Sequence, residues 1–107
     1  MSLTTDMRVS ALLRTCQIES VPAYVVRRGD PDAGALIIKQ AHLNGTARIF
    51  LRQYGSSGEM EWTCLSGEDT MPEPEADAYL ERRASSDPDL WVVEIERAQG
   101  LIDLSLY

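Results

Sequence analysis

The chain has 107 residues, 44% of them hydrophobic, and a formal net charge of −7. That length suits one domain with a real core, and that hydrophobic share is too high for wholesale disorder. The acidic balance argues against bulk binding to nucleic acid or to an anionic membrane, and no apolar run is long enough to span a bilayer.

The charge is unevenly placed. Residues 1–54 carry a balance of +3 and residues 55–107 a balance of −10. The acidic second half is therefore expected to pack against the basic first half.

Thr4, Thr5 and Asp6 offer N-caps for a first helix over residues 6–17. Val9, Leu12, Leu13 and Cys16 form its apolar stripe, with Arg8, Arg14 and Gln17 off it. Arg14 interrupts the apolar run, and no small-residue cleavage site follows, so a secretory leader is not expected. Arg14 and Thr15 before Cys16 also argue against a lipid-attachment signal. Residues 23–28 read as a strand, and residues 29–34 (Gly-Asp-Pro-Asp-Ala-Gly) as a turn.

Asn44-Gly45 is the strongest local signal. It predicts a two-residue turn of type I′ joining strands 35–43 and 46–54, with Leu43 opposite Thr46. That register puts Leu36, Ile38, Gln40, His42, Ala47, Ile49 and Leu51 on the core face. The other face carries Ile37, Lys39, Ala41, Arg48, Phe50, Arg52 and Tyr54. A slip of one residue exchanges the partners.

Residues 60–66 read as a fourth strand and residues 67–74 as an acidic loop. A second helix follows over 74–85, with Pro74 in its first turn and Glu73, Glu75 and Asp77 at the positive end of its dipole. Residues 90–96 form the next strand, with Trp91, Val93 and Ile95 on one face and Val92, Glu94 and Glu96 on the other. Alternation through Ile102, Leu104 and Leu106 allows one more. The order α-β-β-β-β-α-β defines an α+β class: a mostly antiparallel meander with both helices packed on one face.

Lys39, Arg48 and Arg52, with Phe50 and Tyr54 among them, form a candidate binding face that Arg27 or Arg28 extends. Cations interleaved with aromatics on an antiparallel sheet suit an anionic ligand, an acidic protein partner or, least favoured by the global charge, single-stranded RNA. The plainer reading neutralises these cations in cross-strand ion pairs with carboxylates such as Glu94 and Glu96. Trp91 beside Glu94 and Glu96 has the same two readings, pocket wall or core.

Asp30-Pro31-Asp32 and Asp87-Pro88-Asp89 hold paired carboxylates, but each has a local explanation as a turn or a helix stop. Neither completes the acid-spacer-lysine pattern of metal-dependent nucleases. With His42 as the single histidine and Cys16 and Cys64 far apart, no zinc site of usual spacing is available. No phosphate loop or nucleophile elbow is present. The residues call for no metal or cofactor, and the cysteines read as free thiols of a cytoplasmic protein.

Residues 25–34 (VVRRGDPDAG) and 87–96 (DPDLWVVEIE), together with Ala11-Leu12-Leu13-Arg14, resemble a small, mainly alphaproteobacterial family, the domain of unknown function numbered 1491. The resemblance implies a bacterial cytoplasmic protein and brings no catalytic residue. It draws attention to Arg27, Arg28, Asp30, Trp91 and Glu94. The first functional expectation is a non-enzymatic module acting through protein contacts, with a second copy among the partners. The alternative is a protein that binds a small anion or nucleotide, with weak hydrolysis as an added activity.

Overall fold

A computed structural model describes residues 3–105 and 107. The chain runs α1 (Thr5–Ile18), β1 (Ala23–Arg27), β2 (Leu36–Ala41), β3 (Thr46–Tyr54), β4 (Met60–Cys64), β5 (Met71–Pro72), α2 (Glu73–Ser86) and β6 (Trp91–Glu96). The α+β class and the order of the main elements are those the sequence predicts. Two elements differ. The acidic loop contributes the two-residue β5, which pairs with β3. Residues 101–105 form no strand, and Leu106 lies outside the described residues.

The helix ends follow from local chemistry. The Thr4 hydroxyl accepts from the Met7 amide at 3.2 Å and caps α1. At the other end Ser20 takes φ 59°. The amides of Ser20 and Val21 then return to the carbonyls of Gln17 and Cys16, a Schellman closure.

The sheet order is β1-β6-β2-β3-β4, with β5 on β3. It is mostly antiparallel, but β6 runs parallel to β2. The chain from β2 to β6 therefore makes a crossover that carries α2. β6 also lies between β1 and β2, so residues 28–35 must pass over its start. They do so closely: a Cβ at Gly29 or Gly34 would lie 2.1 or 2.2 Å from the Asp89 carbonyl oxygen. No side chain fits at either position.

The helices do not share a face. Val9, Leu12 and Cys16 of α1 pack on Leu36, Ile38, Trp91, Val93 and Ile95. Ala76 and Leu80 of α2 pack on Ile37, Ala47, Ile49 and Val92. Alternate residues of one strand point to opposite faces, so the architecture has three layers with the sheet in the middle. The expectation of both helices on one face is corrected here. β2 is buried on both faces along its whole length, but Lys39 and Gln40 interrupt the continuous apolar run that marks a strand covered on two sides.

The hairpin register is also corrected. Ile37 pairs with Leu51 and Ala41 with Ala47, one residue away from the predicted alignment. The loop has three residues, and its positive φ values fall on Leu43 (64°) and Gly45 (88°). Asn44 Oδ1 accepts from both the amide and the hydroxyl of Thr46. The His42 amide donates to the Thr46 carbonyl at 3.0 Å, so His42 rather than Leu43 closes the ladder.

A cationic cleft between the first helix and the sheet

The one-residue shift divides the expected cationic face. Arg48, Phe50 and Arg52 now share a face with Leu36, Ile38, Gln40 and His42, on the side of α1. Lys39 lies on the other side, beneath α2, at 3% exposure. The Lys39 ammonium contacts Glu73 at 2.8 Å, Asp77 at 2.7 Å and Glu94 at 3.1 Å. Burial alone would pull its pKa down, but the hydrogen bonds to Asp77, Glu73 and Glu94 together outweigh it and hold the group above its ordinary range. Lys39 is thus an internal counter-charge joining β2, β6 and α2.

The other sequence-selected residues fall into place around it. Glu94 belongs to the Lys39 cluster, and Glu96 accepts from the Tyr24 hydroxyl. Arg27 Nη2 donates to the Pro88 carbonyl at 3.2 Å. The Arg28 guanidinium lies 5.0 Å from the centre of the Trp91 ring and 3.5 Å from the Asp6 carboxylate. Trp91 is fully buried in the core, and its indole N–H donates to the Asp30 carbonyl at 2.7 Å. The Asp30 carboxylate accepts from the Ala33 amide and shapes the turn. Phe50 is buried against the α1 layer.

Arg48 meets no carboxylate within ion-pair distance among the described residues. Its guanidinium donates to His42 Nε2 at 2.9 Å and to the Glu68 carbonyl at 3.2 Å. His42 Nδ1 lies 3.0 Å from the Arg97 carbonyl. This contact assigns the proton to Nδ1, leaving Nε2 to accept from Arg48.

Arg52 is different. It is half-buried, and among the described residues it forms no ion pair or side-chain hydrogen bond. Burial pushes its pKa below the ordinary range, and the neighbouring Arg8 guanidinium pushes the same way. Arg8 likewise makes no side-chain hydrogen bond or ion pair among the described residues. Both line a cleft of about 420 Å³ whose other walls include Thr5, Leu36, Met60 and residues 32–35. Asp32 is on that wall but pairs with neither guanidinium within 4 Å.

The start of α1 is fixed by the loop that crosses β6. The Thr5 and Asp6 amides donate to the carbonyls of Asp32 and Pro31, at 3.2 and 2.9 Å. The Thr5 hydroxyl donates to the Gly34 carbonyl at 2.6 Å. These bonds satisfy amides that a helix start leaves open and hold Arg8, one turn further on, beside β3. Sequence reasoning selected Arg52 but missed Arg8. Its only signal was a position off the apolar stripe yet four residues before the buried Leu12, at the border of the helix's inner face.

A second cavity, of about 320 Å³, lies between α1 and a wall of Ile95, Arg97, residues 101–103 and Tyr107. It also holds a cation, Arg97, but Glu19 and Asp103 share its walls, so its charges are mixed. Cys16 opens on it, and burial, with Glu19 nearby, pushes that thiol's pKa up. Among the described residues, no group of three or more histidine, cysteine, aspartate or glutamate side chains is arranged to hold a metal. No described helix is long and apolar enough to cross a membrane.

Fold and cleft together define a small three-layer α+β domain, with one helix on each face of a mixed sheet and an unpaired arginine couple where α1 meets β3. The chain belongs to the DUF1491 family, described as protein of unknown function, whose model matches residues 3–103. It is similar to a DUF1491 family protein from Caulobacter crescentus CB15 known from a crystal structure. They share 42% identity over 94% of this chain and 92% of that one, with a TM-score of 0.82. An NMR structure of a DUF1491 family protein from the same organism gives 43% identity, coverage of 94% and 91%, and a TM-score of 0.78. A solution structure of an A. tumefaciens protein gives 30% identity, coverage of 95% and 90%, and a TM-score of 0.76. No curated protein matches the chain.

Proposed function

We propose that this protein is a non-enzymatic binding module of the bacterial cytoplasm that captures a small anion between Arg8 and Arg52. The observation that carries the reading is the cation pair itself. Both guanidiniums line one cleft, Arg8 pushes the pKa of Arg52 down, and among the described residues no carboxylate lies within ion-pair distance of either. Arranging like charges this way costs stability, and an anion bound between them reverses the sign of the interaction. Guanidinium groups suit carboxylate or phosphate oxygens because their N–H donors form a fixed fork.

Binding rather than catalysis is favoured by the chemistry around the cleft. The histidine is engaged at both ring nitrogens elsewhere on the face. The buried Cys16 thiol is pushed away from the thiolate form.

The test is calorimetric titration and thermal unfolding with inorganic phosphate, against chloride at matched ionic strength. Phosphate at tenfold over its Kd should stabilise the protein by about 1.4 kcal/mol, which is several degrees in Tm for a domain of this size. The R8Q/R52Q variant should lose that stabilisation. A wild-type Tm indifferent to millimolar phosphate rejects the reading.

A protein-contact role is the second reading, supported by the open outer edges of β1 and β4 and by exposed Tyr24 and Val26 on β1. Such edges pair with other strands unless they are protected. Sedimentation over a range of protein concentrations tests self-association, and a strict monomer removes the homodimer.

A further inference from the structure

The α1-side face of the sheet extends beyond the helix. Arg52 pairs with Trp62 across β3 and β4, and Tyr54 pairs with Met60. Phe50, Arg52 and Tyr54 therefore share a face with Met60, Trp62 and Cys64. Beside the arginine cleft lies a second hollow, of about 450 Å³, lined by Phe50, Trp62, Ile102 and Leu104 among others. Met60 lines both, so the two adjoin across one side chain.

The hollows differ in chemistry. The first holds the two unpaired cations, and the second is walled by aromatic and aliphatic groups. Directly opposed residues on an antiparallel pair have Cβ atoms about 4.5–5.5 Å apart, so Arg52 and Trp62 serve as neighbouring subsites. The Trp62 indole N–H is buried and has no acceptor among the described residues. No hydrogen bond therefore anchors the ring against a turn toward a ligand. Asp32 stands on the wall of the arginine cleft. A second acid group on the ligand would meet its like charge there.

From this we infer that the ligand is a small aromatic anion with a single acid group. Its acid oxygens bind between Arg8 and Arg52, and its ring lies against Trp62. The inference rests on the anion-binding reading above and adds the class of molecule. Stacking on an indole contributes beyond the area it buries, and aromatic platforms accept flat rings without regard to their substituents.

The probes are phenyl phosphate, inorganic phosphate and benzyl alcohol, titrated calorimetrically and by tryptophan emission. Phenyl phosphate should bind at least about fivefold more tightly than inorganic phosphate, the lower end of what ring stacking supplies. Benzyl alcohol should bind weakly. W62L should bring phenyl phosphate down to the affinity of inorganic phosphate and leave the latter unchanged, whereas W62F, which keeps a ring, should retain most of the gain. Only Trp62 should respond in emission, because Trp91 is fully buried, so W62F should silence the signal while calorimetry still records binding.

Several outcomes overturn the inference. Equal affinity for the two phosphates leaves the arginine cleft as an anion site and removes the aromatic class. A gain that persists undiminished in W62L places the ring elsewhere. Benzyl alcohol binding as tightly as phenyl phosphate removes the acid requirement. Failure of both phosphates to bind removes this inference and the proposed function together.

Discussion

The indole N–H of Trp91 donates to the main-chain carbonyl of Asp30 at 2.7 Å. This bond joins the two sequence stretches that carry the family resemblance. Residues 28–35 arch over the start of β6, the Asp30 amide donates to the Asp89 carbonyl, and α1 begins on the far side of the same arch. The placement of Arg8 beside Arg52 therefore depends on a clasp made of glycine, tryptophan and backbone.

That clasp predicts a sharp response at Gly34. A Cβ there would meet the Asp89 oxygen and the Asp30 oxygen, both main-chain atoms that cannot swing aside. G34A should lose about 2–4 kcal/mol in urea denaturation, as an overpacked core site does. W91F should lose about 1–3 kcal/mol by removing the indole bond and leaving the Asp30 carbonyl only the longer bond from the Gly34 amide at 3.3 Å.

Lys39 predicts a stability effect confined to alkaline pH. Its pKa is raised in the folded state, so the native protein holds that proton more tightly than the unfolded chain does. The contribution is complete below the ordinary lysine pKa of about 10.4 and is lost as pH rises through the folded value. Denaturation of wild type and K39M across pH 8 to 11, roughly the range flanking the ordinary lysine value, should show the gap between them constant at first and narrowing only at the top. A gap that narrows below pH 9, well short of that value, contradicts the assignment.

Removing one cation from the cleft should not harm the unliganded fold. Arg52 bears a burial cost and faces Arg8, so R52Q should be within about 0.5 kcal/mol of wild type, or slightly more stable. A loss above about 2 kcal/mol would show instead that the guanidinium holds the structure together.

Leu43 is held at φ 64° while its side chain is mostly exposed. A left-handed conformation costs a non-glycine residue about 1–2 kcal/mol, and little apolar burial offsets it here. L43G should raise stability by about 0.5–1 kcal/mol, after allowance for the freer unfolded chain. A destabilised L43G would mean that the loop does not hold this geometry in solution.

The two free cysteines should react in order. Cys16 is buried, with its pKa raised by burial, whereas Cys64 is half-buried on an outer strand. A disulfide-exchange reagent should modify Cys64 in the native protein and reach Cys16 only on unfolding. Mass spectrometry of the singly modified protein checks the order.

Much of the architecture was readable in the residues themselves. Thr4 and its followers set the start of α1, and the Val9, Leu12, Cys16 stripe gave its buried side. Glu73 and Pro74 opened α2, and the alternation from Trp91 to Glu96 gave both faces of β6 correctly. These features are local, decided by capping, dipole and period within a few residues. The misplaced helix and the shifted hairpin register share one cause. In β2 both alternating sets are apolar, Leu36 and Ile38 against Ile37 and Ala41, so either register buries hydrophobic surface. The choice fell to Asn44, whose side chain draws in Thr46, and to α2, which covers the face that sequence reasoning had left open.

By itself the sequence determined the main elements, the α+β class and the strong N-terminal excess of cations, because these are set by neighbours along the chain. Tertiary structure decided which cations are neutralised and which stand free. Lys39 meets carboxylates 34, 38 and 55 residues away, whereas Arg8 and Arg52 line one cleft with none in contact among the described residues. Charge pairing depends on separations of a few ångströms between groups distant in sequence, and only the folded chain sets those separations.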